Sequence, residues 1–244
     1  MKCLFLVFAS IFIFPKINVQ EFNKNINKDS LVQVIIKDLP KEKKKEFQKM
    51  YNEGNEQSKE YLLFMFSMPI SSKKAQIENY EKNKTKIFEL KNEYSKLVPD
   101  RLIVSIEFNP KNVIVNTKES IDLKIYQKQI DGEIEVVTQE WNLDYNSKVL
   151  NKLLETLKWN NDTLLKIKGL LESANCVSIE NGKITTIGFA RSGMGKYFYK
   201  VFDADLKKET IPKYNDGCTF IFYKDNIVLE YGGGAVGSQC FPDE

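Results

Sequence analysis

No histidine occurs anywhere in this chain. That removes the usual general base near neutral pH, the Ser-His and Cys-His nucleophile pairs, and the commonest zinc ligand. Catalysis without histidine falls back on paired carboxylates or a Ser-Lys pair. Arginine is almost as scarce: of 36 lysines and arginines, only Arg101 and Arg191 are arginine. Bidentate recognition of phosphate or base edges favours arginine's planar fork, so a surplus made of lysine reads as solubility. The four cysteines form no Cys-x-x-Cys, which leaves no ordinary zinc site and no metal or cofactor to expect. No Pro-, Gly- or Ser-rich linker and no internal repeat divides the chain.

What is present begins with Lys2 and an apolar run from Cys3 to Phe14, closed by Pro15-Lys16. Bilayer spans need about 20 apolar residues, and this run is too short for one but suits a signal-peptide h-region. An uncleaved anchor or a buried strand is the alternative. A lipidated cysteine would follow the run, whereas Cys3 begins it. Loss of residues 1–19 takes two lysines and no acids, leaving 34 basic against 33 acidic residues, a net charge of +1. That is not a nucleic-acid-binding charge. The expectation is a secreted or periplasmic protein with no stable membrane span once the signal is removed. In an oxidising compartment, one bridge among Cys176, Cys218 and Cys240 is expected. Cys218 with Cys240 is favoured because it staples the C-terminal glycine segment onto its own hairpin; three free buried cysteines are the alternative.

The pattern along the chain is α+β. Asn23–Asp29 reads as a polar, unstructured stretch, Leu31–Ile36 as a short strand, and residues 41–53 as a charged helix opened by Pro40. The apolar, aromatic Tyr61–Met68 reads as a buried strand, although a buried helix has the same signature. Ser71 or Ser72 caps a long helix over about 73–97. Period-two alternation then predicts strands at Leu102–Phe108, Val113–Val115 and Ile121–Tyr126. Asp131-Gly132 turns the last of these into Ile134 and Val136. A helical hairpin over about 147–172 follows, packed on a C-terminal antiparallel meander of five strands between Val177 and Tyr231. Three units result: a signal over 1–19, an α+β unit over 20–145, and the hairpin plus meander over 146–244. One continuous domain over 30–244 is the alternative.

Few residues carry chemistry. Gly232, Gly234 and Gly237 have G-x-G-x-x-G spacing, but no helix can follow them before the chain reaches Pro242, so a dinucleotide loop is excluded. A structural reversal that returns Cys240-Phe241 to the body is the better reading. Ser71-x-x-Lys74 lacks the companion motifs of serine acyl enzymes and reads as a helix cap. Asp203-x-Asp205 is too short for a calcium loop, Asp216-Gly217 reads as a turn, and Glu230 lacks an identifiable partner carboxylate. The aromatics from Tyr197 to Tyr223 form either a packed sheet face or a binding platform. The candidate ligand site is the turn Arg191, Ser192, Gly193, Gly195, Lys196, where backbone N–H groups and two cations can hold an anion. A plain hairpin loop is the alternative.

These residues describe a non-catalytic binding or interaction protein of the bacterial envelope or exterior, whose partner is a protein or a small anionic ligand, and not nucleic acid. Two other classes stay open: a histidine-free hydrolase and a toxin-neutralising or inhibitor-like protein.

Overall fold

One face of a single antiparallel sheet carries the main core, and the opposite face carries the charged groups. The computed structural model of the chain describes residues 22–112, 114–115, 118–129, 132–233 and 237–242. The expected signal segment, Val113, Asp131 and Gly234 lie outside them. Helices α1 (Lys28–Asp38), α2 (Lys41–Glu53), α3 (Glu56–Phe66) and α4 (Lys73–Leu97) come first. Strands β1 (Leu102–Asn109), β2 (Ser120–Lys128) and β3 (Ile134–Leu143) follow. Next are α5 (Lys148–Leu157) and α6 (Asn161–Ser173), then β4 (Ser178–Glu180), β5 (Thr185–Ser192), β6 (Gly195–Val201), β7 (Phe220–Lys224) and β8 (Ile227–Gly232). The α+β class is as expected.

Two expected strands are helices. Leu31–Ile36 lies inside α1, whose N-terminus is capped by Asn27 accepting from the Ser30 backbone N–H. The cap belongs to the stretch that was expected to be unstructured. Most of Tyr61–Met68 lies in α3, capped in the same way by Asn55 from Ser58. The β-branched penalty in a helix is below about 0.7 kcal/mol per residue, less than a cap and a buried face return. Ile35, Phe47 and Leu63 supply that face, forming a small core of their own beneath α1, α2 and α3. Ile114 and Val115 sit in a turn rather than a strand.

The strands run in the order β3-β2-β1-β4-β5-β6-β8-β7, each antiparallel to its neighbours. β1 and β4 lie on opposite sides of Asp144–Ser147 in sequence, so the sheet is continuous across that segment. Alternation places Val104 and Ile106 of β1, Ile121, Leu123 and Ile125 of β2, and Tyr197 and Tyr199 of β6 in the main core, with the apolar stripes of α4, α5 and α6. Each fully buried Leu, Ile or Val contributes about 1.5–3 kcal/mol. Two polar tips inside this layer are satisfied: Tyr94 donates to the Val104 carbonyl at 2.9 Å, and Trp159 Nε1 to Leu97 at 2.7 Å.

The C-terminal tail closes the layer. Gly232 bridges to Ser238, and Gly233 donates to the Gly237 carbonyl at 2.6 Å. Cys218 and Cys240 are joined by a disulfide, the pairing favoured from sequence. Phe241 is buried in the main core against Tyr197 and Tyr231, each at a ring separation of 5.9 Å.

Candidate functional site

The same alternation that sends Val104, Ile106 and Phe108 toward the helices sends Ser105, Glu107 and Asn109 to the open face. On β2 it sends Asp122 there. Register then decides who meets whom. Arg191 pairs with Lys196 across the β5–β6 hairpin, so both cations stand on the open face. β4 is only three residues long and stops short of this level, which lets Arg191 reach past it to β1 and β2.

Glu107 is the hub. Its Oε2 accepts from Lys196 Nζ, and its Oε1 lies 2.7 Å from Arg191 Nη2. That second contact is an ion pair without hydrogen-bond geometry, and among the described residues none donates a hydrogen bond to the buried Oε1. Arg191 also donates to Asn109 Oδ1 at 3.1 Å and lies 3.8 Å from Asp122 Oδ2. The Glu107 and Lys196 side chains are 12% and 11% exposed, whereas Arg191 keeps 41% of its side chain in solvent. Burial holds the Lys196 ammonium below its ordinary value, against the opposing attraction of Glu107. A second ion pair, Lys200 with Glu230 at 3.0 Å, lies on the same face.

A glycine makes the site possible. Gly188 stands opposite both Ser178 and Phe198. A Cβ there would meet Ser178 Oγ at 2.1 Å and Lys196 Cδ at 3.0 Å. The missing side chain therefore leaves room for the Lys196 stem to lie flat toward Glu107. On the other side, Gly232 lies opposite Lys196 across the β6–β8 ladder.

No family model, curated protein or solved structure matches this chain. The chemistry of the site therefore rests on its own geometry. The expected anion nest is only partly assembled. Arg191 and Lys196 do converge, but on a carboxylate. Gly193 gives its N–H to the Pro69 carbonyl at 2.9 Å, and the Ser192 hydroxyl donates to the Ser71 carbonyl while accepting the Ser71 N–H. Gly195 packs under the Tyr231 ring, whose hydroxyl would lie 2.7 Å from an added Cβ.

The candidate catalytic groups scatter. Asp203 pairs with Lys91 at 2.6 Å, and Lys74 stands 4.0 Å from Glu78 on an exposed helix face. Asp216 accepts the Cys218 and Phe220 N–H groups, and those backbone bonds hold its carboxyl below the usual range. Glu230 belongs to Lys200. None of these lines the depression of about 440 Å³ at Lys118–Glu119 and Asp144–Ser147, nor the one of about 190 Å³ beside Asn109. Among the described residues, no group of three or more His, Cys, Asp or Glu is placed to hold a metal. The aromatics divide: Tyr197, Tyr199 and Tyr223 pack toward the helices, while Phe198 lies on the open face with Lys196 Nζ 5.3 Å from its ring.

Sequence reading reached Arg191 and Lys196 but missed Glu107, Asn109, Asp122 and Gly188. The alternation of β1 and β2 already marked the three polar residues as one face. Nothing local marked their partner, more than 60 residues away in sequence.

Proposed function

We propose that this chain is an exported binding protein that engages a protein partner through the sheet face that carries Arg191. The observation that carries the reading is the half-exposed Arg191 guanidinium, held 2.7 Å from the buried Glu107 Oε1 with 41% of its side chain in solvent. It stands at a site whose four charges, Arg191, Lys196, Glu107 and Asp122, balance to zero. A balanced site suits a polar group of a protein surface better than a free anion, which must displace Glu107. Neither the depression of about 440 Å³ nor that of about 190 Å³ is lined by Arg191, Lys196 or Glu107. Export is supported by the Cys218–Cys240 bridge, since disulfides persist in oxidising compartments. No helix among the described residues is long and apolar enough to cross a membrane.

Isotope-edited NMR of the full chain titrated with a capped asparagine- and glutamine-rich peptide tests the proposal. Shifts centred on Glu107, Arg191 and Lys196 are expected, and their loss in Arg191→Ala. Equal shifts with inorganic phosphate would replace the protein partner by a small anion. Hydrolytic turnover abolished by Glu230→Gln would replace binding by catalysis.

A further inference from the structure

The two edges of the sheet are built differently. At one end, β7 is sealed by its own chain: Asn215 Oδ1 accepts the Phe222 N–H at 3.1 Å, and Asp216 Oδ1 accepts the Phe220 N–H at 2.8 Å. A 3-10 turn, Ile211–Tyr214, brings Tyr214 against Phe220 there. At the other end lies β3, ten residues long, and no strand pairs with its outer edge among the described residues.

β3 also keeps its apolar side chains in solvent. Ile134, Val136, Val137 and Trp141 are 58%, 56%, 51% and 56% exposed. Its two faces differ in chemistry. Val136 stands opposite Tyr126 and Ile134 opposite Lys128, on the face that carries Asp122. Glu135 opposite Gln127 and Glu140 opposite Leu123 take the other. From Gly132 to Ser147 the chain has Glu133, Glu135, Glu140 and Asp144 and no lysine or arginine. Edge strands are usually protected by charged side chains, proline, β-bulges or a covering segment, and β3 has charges and two register shifts but no proline. Here the edge is acidic on one side and apolar on the other.

We infer that the free edge of β3 accepts an extended segment of a partner protein in which basic and apolar residues alternate, added as a ninth strand. The backbone of an unpaired edge supplies main-chain hydrogen bonds, and the alternating side chains supply selectivity. The apolar residues of the incoming strand meet Ile134 and Val136 on one face. Its basic residues meet Glu135 and Glu140 on the other. A second copy of this chain fits poorly, because two-fold pairing of β3 with itself sets one acidic row against another. This surface adjoins the Arg191 site at Asp122, which accepts the Asn142 N–H at 2.8 Å, but its probe differs, so either reading can fail without the other.

The test titrates the full chain with a synthetic peptide alternating lysine and valine, read by calorimetry and by Trp141 fluorescence. Binding that shifts Trp141 emission to the blue and weakens with salt is expected, with no binding by the glutamate-valine counterpart. Glu135→Lys/Glu140→Lys should weaken the lysine-valine peptide by about tenfold or more at unchanged circular dichroism. Equal binding of both peptides, or unchanged affinity in the double variant, overturns the inference. So does self-association of the chain in sedimentation that Val136→Lys removes, since the occupant is then a second copy.

Discussion

Gly188 faces Ser178 so closely that a methyl group on it would overlap the Ser178 hydroxyl, at 2.1 Å. Gly188→Ala is therefore an overpacking change in the middle of the sheet, costing about 1–3 kcal/mol. For a chain of this size that lowers Tm by roughly 2–4 °C per kcal/mol. Adding Ser178→Gly should restore part of the loss. Strict additivity of the two changes would show that the contact is not the cause.

Glu107 and Lys196 are best tested as a pair. Glu107→Gln leaves the Lys196 ammonium buried without its nearest counter-charge, a change that costs about 3–5 kcal/mol in comparable buried pairs. Glu107→Gln/Lys196→Met should be clearly less damaging than Glu107→Gln alone in urea unfolding. The pH dependence has a definite sign. Because folding depresses the Lys196 value below 10.5, the unfolded chain holds its proton more tightly. Stability from this group therefore rises with pH from the depressed value up to 10.5. The double variant should lack that rise in alkaline denaturation curves.

The Cys218–Cys240 bridge spans 22 residues of sequence. Closing a loop of that length contributes about 3 kcal/mol in the chain-entropy picture. Reduction should add the mass of two hydrogens to the intact protein and free the tail around Phe241. A native mass unchanged by reductant would remove the bridge from this account. Cys176 should behave oppositely to an exposed thiol. Burial pushes it up to about 12, so alkylation is expected only after unfolding.

Lys158 ends α5 in the left-handed region at φ 55° and is exposed. That conformation costs an L-residue about 1–2 kcal/mol, which glycine does not incur. Lys158→Gly should raise Tm by a few degrees, and a fall in Tm would mean that the lysine stem contributes packing.

Much of the local structure was legible in sequence. The helical period from Ile77 to Leu97 gave α4, and the alternation of Ile121, Leu123 and Ile125 gave β2. The helical pair after Ser147 followed from its apolar faces and its first cap, since Ser147 accepts the Leu150 N–H, whereas the second cap, expected at Asn161 or Asp162, is Asn160. Such signals act over three or four residues, and the same residues carry them in sequence and in structure. α1 and α3 were misread for a local reason as well. Composition spoke for strands, while Asn27-x-x-Ser30 and Asn55-x-x-Ser58 were caps that passed unnoticed.

By itself, then, the sequence determined the α+β class, the absence of histidine chemistry, most element boundaries and which residues of each strand share a face. Only tertiary structure decided that Glu107 would stand between Arg191 and Lys196, that Asp216 would seal β7, and that β3 would be the last strand of the sheet among the described residues. Periodicity fixes the direction of a side chain relative to its own strand. Its neighbours depend on strand order and register, which are settled by packing between segments distant along the chain.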